Sequence, residues 1–258
     1  MQENEKSIRR RERIDKIGFG NLEIIQNPEQ FCYGVDAVLL SEMAAKYRSA
    51  KGNKIKRVCD LGTGNGIIPL IMSHKIPESE ILGVEVQREV FQLAKRNVSH
   101  NGLENRIKIE NFNVTDITKI RESNLSGTFD IVTSNPPYTA AGSGMQCANP
   151  ALMIARHEIE GTLDDFVRCA GELLSYRGDF FMVHRPSRLV DICQTCRKYR
   201  LEPKDMLFVS PKPGSKANIL LIHCIKDGKA ELNVLPELNV RNSVGEYTER
   251  VLKAYEKA

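Results

Sequence analysis

The sequence predicts an α/β fold in which a mostly parallel sheet carries helices on both faces. Three observations predict it. Short β-branched runs alternate with helix-length amphipathic stretches through the middle of the chain. A glycine-rich turn, Gly62-Thr63-Gly64-Asn65-Gly66, joins the first such run to a helix. An acid, Glu85, ends the next run about 20 residues further on. The chain of 258 residues can form one large domain with small appendages and bury a sizeable core.

Composition narrows the class. Hydrophobic residues make up 41% and charged residues 27%, as expected of a soluble globular protein rather than a disordered one. No apolar run is long enough to span a bilayer. The charged stretch Met1–Lys16 lacks the apolar core of a secretory signal. The net charge of +4 is compatible with a polyanionic partner without requiring one. Seven scattered cysteines read as reduced thiols of a cytoplasmic protein. Cys193 and Cys196 have redox-motif spacing, but they sit in a helical pattern without a second pair, so no metal is expected.

Residues 1–16, with Arg9, Arg10, Arg11 and Arg13, read as a basic arm, helical or frayed, either solvated or touching RNA. Asn21–Gln26 reads as a short strand. In Phe31–Leu40, Gly34 permits a close backbone approach and Asp36 reads as the N-cap of a helix reaching about Lys46. A cap alone would explain Asp36. Ile55–Leu61 is the first core strand and Ile67–Lys75 the helix after the glycine turn. The G-x-G-x-G spacing, with Asp60 ahead of it, departs from the dinucleotide fingerprint. It suits a cofactor whose charged part is an amino acid: glycine backbone can approach it, and an acid can meet its ammonium. Ile81–Glu85 is the second strand, placing Glu85 where an acid accepts both hydroxyls of a ribose. The alternative is a surface glutamate. The helix Gln87–His100 closes at Asn101-Gly102. Arg106–Glu110 is the third strand, and Asp116 after it can accept the amino group of an adenine.

The run Phe129–Ser134 reads as a buried strand ending in Asn135-Pro136-Pro137-Tyr138. Two prolines end the strand and remove two donors. The Asn135 carboxamide oxygen and the Pro136 carbonyl can then accept both N–H bonds of a planar amine. Tyr138 can lie flat against a base. A proline-stiffened turn is the competing reading. Next comes a Gly/Ser/Ala-rich loop to Arg156, then His157, readable as a base or as a phosphate or loop-fixing contact; the latter is favoured. Thr162–Leu174 reads as helix, Gly178–His184 as strand and Pro186–Tyr199 as helix, with Arg185, Arg188, Arg197, Lys198 and Arg200 around it as a possible phosphate-facing surface. Leu201–Val209 and Asn218–Ile225 are two strands joined by a basic, proline-stiffened loop carrying Lys212 and Lys216. A last short helix begins near Glu246 and reaches Lys257.

Taken together, D-L-G-T-G-N-G at 60–66, the acid at 85 and S-N-P-P-Y at 134–138 resemble the class I S-adenosylmethionine-dependent methyltransferases with an amino-methylating NPPY motif, over roughly residues 20–225. The resemblance implies a Rossmann-like, seven-stranded, mostly parallel sheet with a C-terminal antiparallel hairpin. It also implies that Asp60, Gly62, Gly64 and Asn65 hold the methionine part, Glu85 and Val86 the ribose, and Asp116 the adenine, with Asn135 facing the cofactor. Too few residues precede Asp60 for the helical domain of release-factor glutamine methyltransferases. No segment is long enough for the target-recognition domain of DNA adenine enzymes. The duplicated half of many rRNA guanine-N2 enzymes is absent.

Adding F-x-Y-G-V-D-A-V-L-L at 31–40, A-R-H-E at 155–158 and S-P-K-P-G-S-K-A-N at 210–218, the chain is similar to the bacterial tRNA1(Val) adenine-37 N6-methyltransferases. That likeness implies that Gly34 and Asp36 close over the cofactor. It implies catalytic Asn135, Pro136 and Tyr138, and an RNA surface of Pro137, Tyr138, Arg156, His157, Arg188, Lys212 and Lys216. The expected partner is the anticodon stem-loop of tRNA, with no membrane and no stable protein partner. The expected division is an arm with a short strand at 1–30, the methyltransferase domain at 31–226, and an extension at 227–258 packed on the same domain. The alternatives are another exocyclic amine, in an rRNA base or a protein glutamine, and a non-catalytic cofactor-binding RNA protein.

Overall fold

The computed structural model describes residues 12–27, 33–50, 55–136 and 161–257. Strands β1 (Arg13–Lys16) and β2 (Glu23–Gln26) form an antiparallel hairpin. Helix α1 (Val35–Ala50) leads into β3 (Arg57–Leu61), α2 (Ile67–Lys75), β4 (Glu80–Val84), α3 (Arg88–His100), β5 (Ile107–Glu110), α4 (Ile117–Glu122) and β6 (Phe129–Ser134). Then follow α5 (Leu163–Leu173), β7 (Leu174–His184), a 3-10 turn at Pro186–Arg188, α6 (Leu189–Lys198), β8 (Leu201–Ser210) and β9 (Ile219–Lys226). Two short strands, β10 (Asn233–Val234) and β11 (Leu238–Asn239), precede α7 (Glu249–Ala254).

The main sheet runs β10-β8-β9-β7-β6-β3-β4-β5, with β11 also on β8. Strands β5, β4, β3, β6 and β7 are mutually parallel, and β9 lies antiparallel between β7 and β8. This is the Rossmann-like architecture expected from the sequence, widened at one edge by β10 and β11.

Alternate residues of each central strand serve opposite layers. Val58, Ile131, Phe181 and Leu221 pack with α1 and α2 on one face, while Cys59, Val132, Phe180 and Ile222 pack with α5 and α6 on the other. A sheet covered on both faces buries its central strands almost end to end, as in β3 and β6, where the apolar run is broken only by polar residues toward the C-terminal end and by Arg57 and Asp130 near the start. Thr162 starts α5 with a reciprocal capping box to Asp165. The five described cysteines Cys59, Cys169, Cys193, Cys196 and Cys224 are free. No helix among the described residues is long and apolar enough to cross a membrane.

Four readings change. Arg13–Lys16 is a strand, not arm; Glu12 just before it receives both terminal nitrogens of Arg96 at 2.7 and 2.8 Å. Arg9, Arg10 and Arg11 lie outside the described residues. Asp36 sits inside the first turn of α1 instead of capping it. Strand β7 begins at Leu174, four residues before Gly178, because Leu174 pairs with Phe129 across a register shift. The stretch Pro186–Tyr199 is broken into a 3-10 turn and α6, with the proline at the start of the turn.

One polar cluster lies within the sheet. His223 of β9 is 1% exposed, with Nδ1 2.8 Å from Asp205 of β8 and Nε2 2.9 Å from Asp179 of β7. Its ring stacks on Phe181 at 4.6 Å, and Tyr47 of α1 lies 4.6 Å from it.

Candidate active site

Parallel pairing sets the C-terminal ends of β3, β4 and β6 side by side, the edge at which open α/β sheets bind ligands. Asp60, Glu85 and Asn135 meet there because each ends, or immediately follows, one of these strands.

The glycine turn is shaped by backbone need. Gly62 and Gly64 have φ of +69° and +58°, a region costly for residues with a side chain. A Cβ on Gly62 would lie 3.1 Å from the Phe166 ring, so that glycine serves packing. A Cβ on Gly64 would meet nothing within 4 Å, so its face is open to a ligand.

Glu85, 6% exposed, braces the turn: Oε2 accepts from Gly64 N at 3.0 Å and Oε1 from Gln87 N at 2.8 Å. The carboxylate is thereby held at one orientation, and each oxygen has a second lone pair for a hydroxyl donor. Asn111 Nδ2 donates to the carbonyls of Glu85 at 2.7 Å and of half-buried Val86 at 3.0 Å, tying the end of β4 to the segment after β5.

Asp60 is fully buried. Thr133, its register partner on β6, donates its hydroxyl to Oδ1 at 2.7 Å. Oδ2 has no partner among the described residues. Burial pushes the carboxyl up to about 7, the hydroxyls of Thr133 and Thr63 oppose this, and the charge of Glu85 adds to it. A buried acceptor left this way is costly unless something occupies the space beside it.

Asn135 and Asp36 meet although 99 residues apart: Asn135 Nδ2 donates to Asp36 Oδ2 at 3.1 Å. Asp36 is 8% exposed, and its Oδ1 accepts from Ala37 N at 3.0 Å. A carboxylate only accepts, so the carboxamide must turn its NH2 toward Asp36. That fixes which end of Asn135 is the acceptor. Half-buried Gly34 comes close to the same carboxylate, since a Cβ there would lie 2.8 Å from Asp36 Oδ1.

Two residues that sequence reasoning missed hold this assembly. Thr133 was legible as the residue two before Asn135, on the same strand. Asn97, fully buried on α3, donates to the carbonyls of Asn65 at 2.9 Å and Ile25 at 3.1 Å and accepts from Ile25 N at 2.6 Å. It fastens the glycine turn to the N-terminal hairpin; its signal was an amide among the core-facing positions of an amphipathic helix.

Asp116 is exposed and caps α4, accepting from Lys119 N at 3.1 Å, so a local role accounts for it without a ligand. Arg188 follows β7 at the binding edge and pairs with Asp191 at 2.6 Å. Lys212 and Lys216 are exposed in the loop that leaves β8 at the same edge. The helical basic surface, by contrast, divides. Arg197, Lys198 and Arg200 lie at the far end of α6 and pair with Glu202, Asp164 and Asp227 at 2.6–2.7 Å. Their role is interelement pairing away from the binding edge. Pro136 is buried directly after Asn135, whereas Pro137, Tyr138, Arg156 and His157 lie outside the described residues.

Known proteins resemble this chain in sequence and in fold. The chain is 28% identical over 207 residues, 80% of its own length and 79% of the relative's, to a tRNA1(Val) (adenine(37)-N6)-methyltransferase of Porphyromonas gingivalis. A relative of the same name from Bacteroides thetaiotaomicron is 29% identical over 73% of this chain and 74% of the relative. A crystal structure of a predicted O-methyltransferase from Agrobacterium tumefaciens superimposes with a TM-score of 0.69 at 22% identity, covering 86% of this chain and 96% of that one. A geranyl diphosphate methyltransferase bound to S-adenosylmethionine gives 0.51 at 13% identity, over 73% and 85% of the two chains. At those identities the two structures speak for the fold alone. The family model described as methyltransferase small domain matches residues 21–191, from the N-terminal hairpin through the glycine turn, Glu85 and Asn135 into α6. On that match, the chain belongs to the methyltransferase small domain family.

Proposed function

We propose that this protein transfers a methyl group from S-adenosylmethionine to N6 of an adenine in tRNA, at position 37 of the anticodon loop. The observation that carries the reading is the Asp36–Asn135 contact, which presets an amide acceptor beside the glycine turn. The names of relatives aligned over most of the chain support the substrate.

The residues present fit the cofactor. Asp60 Oδ2 has only the Thr63 hydroxyl near it and can take a cation, the face of Gly64 is open, and Glu85 holds a rigid carboxylate one strand away. In this reading Asp60, Gly62, Gly64 and Asn65 flank the amino-acid part, Glu85 and Val86 the ribose, and Asp116 the adenine. Gly34 and Asp36 close over them. When bound, S-adenosylmethionine supplies a methyl group made electrophilic by a sulfonium. The protein positions the acceptor. Asn135 Oδ1 and the Pro136 carbonyl accept the two N–H bonds of the adenine amine, and Tyr138 stacks on the base. Holding that amine with its lone pair out of conjugation, in line with the methyl, supplies the rate through orientation. The bound cofactor would supply the methyl and keep the carbon–sulfur electron pair, and the amine nitrogen held by Asn135 and Pro136 would take the methyl and release its extra proton to water. Pro137 stiffens this clamp, and Arg156, His157, Arg188, Lys212 and Lys216 face the RNA.

Asp60 gives this reading a pH dependence. In the cofactor-free protein its carboxyl is protonated below about 7. A cation beside it favours the carboxylate, so binding releases a proton. Cofactor affinity is therefore expected to rise with pH up to about 7, by as much as about tenfold per unit, and level off above. Calorimetric titration between pH 5.5 and 8 checks this, and Asp60→Asn should flatten the profile. Replacing Glu85 by glutamine puts donor against donor at Gly64 or Gln87 and is expected to weaken cofactor binding by about 1.5–3 kcal/mol, on the order of 10- to 100-fold.

Charge reversal separates the two groups of cations. Lys212→Glu with Lys216→Glu is expected to weaken tRNA binding and flatten its salt dependence, whereas Arg197→Glu should leave both unchanged. The decisive experiment is mass analysis of tRNA nucleosides from cells with and without the protein, beside transfer of labelled methyl to purified tRNA. Loss of N6-methyladenosine at position 37 is the expected result. Cofactor binding with no label on tRNA would show that the acceptor lies elsewhere.

A further inference from the structure

The segment after β9 lies beyond the matched family residues and returns to the binding edge. Val240 N donates to Ser210 O at 2.8 Å and Arg241 N to Pro211 O at 3.0 Å, so the chain runs beside the start of the Lys212–Lys216 loop. A tight turn follows, in which Asn242 Oδ1 accepts from Val244 N at 3.1 Å and Glu246 N at 3.0 Å. The turn sets Tyr247 opposite Arg241 in an antiparallel bridge.

The side chains there are layered. The Arg241 guanidinium carbon lies 4.6 Å from the Tyr247 ring centroid, and Nη1 donates to Gly245 O at 2.6 Å. Tyr247 stacks on Tyr255 at 6.0 Å and 23°, and Tyr255 on Phe19 at 6.3 Å and 15°. Phe19 is fully buried, Tyr247 is 39% exposed and Arg241 is exposed, so the stack runs from the core out to solvent. Burial raises the pKa of the Tyr255 hydroxyl. Helix α7, whose C-cap is Tyr255, packs on α1, the helix that carries Asp36.

Pinning the turn to α7 would need only the two tyrosines. A guanidinium held over the Tyr247 ring at the outer end, with a carbonyl fixing one nitrogen, is a planar cation kept ready at a mouth already carrying Lys212 and Lys216. Such a plane stacks on an unpaired base while its other donors meet a phosphate, a pairing that suits single-stranded RNA.

We propose that Arg241, layered on Tyr247, is a stacking platform for an unpaired nucleotide of the RNA next to the methylated adenine. The proposal rests on the tRNA reading above. It makes the C-terminal extension part of the substrate site.

The test uses the full chain and a synthetic RNA stem-loop with 2-aminopurine beside the target adenine. Wild-type protein is expected to change the fluorescence of that probe. Arg241→Ala and Tyr247→Ala are expected to weaken stem-loop binding roughly 5- to 100-fold, the range of one lost base stack. Arg241→Lys keeps the charge and loses the plane, so it should also lose the fluorescence change and raise KM for RNA while KM for the cofactor stays unchanged. Melting temperature is followed for each variant; if Tyr247→Ala melts early, Arg241→Lys decides. Wild-type binding and fluorescence in Arg241→Lys would overturn the platform even if the enzyme methylates tRNA. Failure of wild-type protein to label any tRNA would instead overturn the underlying reading.

Discussion

Asn135→Ala is expected to reduce methyl transfer to tRNA by about 10²–10³-fold, the usual cost of losing one preorganised polar contact at a reacting centre. The cofactor should still bind, because Asp60, Gly64 and Glu85 are untouched. Alanine removes the acceptor for one amine N–H and leaves the buried Asp36 carboxylate without the donor that meets its Oδ2. Asp36→Asn is the informative companion. A neutral amide accepts or donates, so Asn135 is no longer forced to present oxygen to the substrate, and an intermediate loss is expected. Single-turnover transfer with saturating labelled cofactor, beside a binding titration, separates chemistry from affinity. Near wild-type transfer by Asn135→Ala would sink the proposed clamp.

His223→Leu is expected to destabilise the fold by about 3–5 kcal/mol, the cost of stranding buried charge. At that size of chain this is a fall in Tm of roughly 6–20 °C. The ring meets Asp179 and Asp205 with both nitrogens at hydrogen-bond distance, so it joins two buried carboxyl groups. Leucine fills the volume but removes the ring nitrogen from each of the two buried carboxyl groups. Burial works against ionised Asp205, yet the bonds from His223 and Asn233 hold its carboxyl below the ordinary range. This share of stability is present above about pH 4, the unfolded value, and is lost as pH falls through the lower folded value. Thermal melting of the purified variants across pH measures it. An unchanged Tm at neutral pH would mean that the cluster contributes nothing to the fold.

Where a signal was local, the chain could be read directly. The glycine turn needs backbone conformations that glycine alone adopts cheaply, and Gly62 and Gly64 stand there with positive φ. Thr162 with Asp165 forms the capping box that starts α5. The proline after Asn135 ends β6 for steric reasons that need no knowledge of the rest.

Other features depended on partners far away in sequence. Arg13–Lys16 is mostly exposed and charged, so nothing in its pattern marks a strand; pairing with Glu23–Gln26 makes it one. Lys198 and Arg200 resembled a phosphate surface until folding brought Asp164 and Asp227 beside them. Asp36 carried a local cap signal that its bond to Asn135 supersedes.

Residue order alone therefore settled the central strands and helices and the parallel core, because propensity, periodicity and turn chemistry act over a few neighbours. Only the folded chain decided which acid orients Asn135, which cations remain exposed at the binding edge, and how the C-terminal tyrosines reach it. Those outcomes are set by contacts between side chains tens to hundreds of positions apart, which no local pattern encodes.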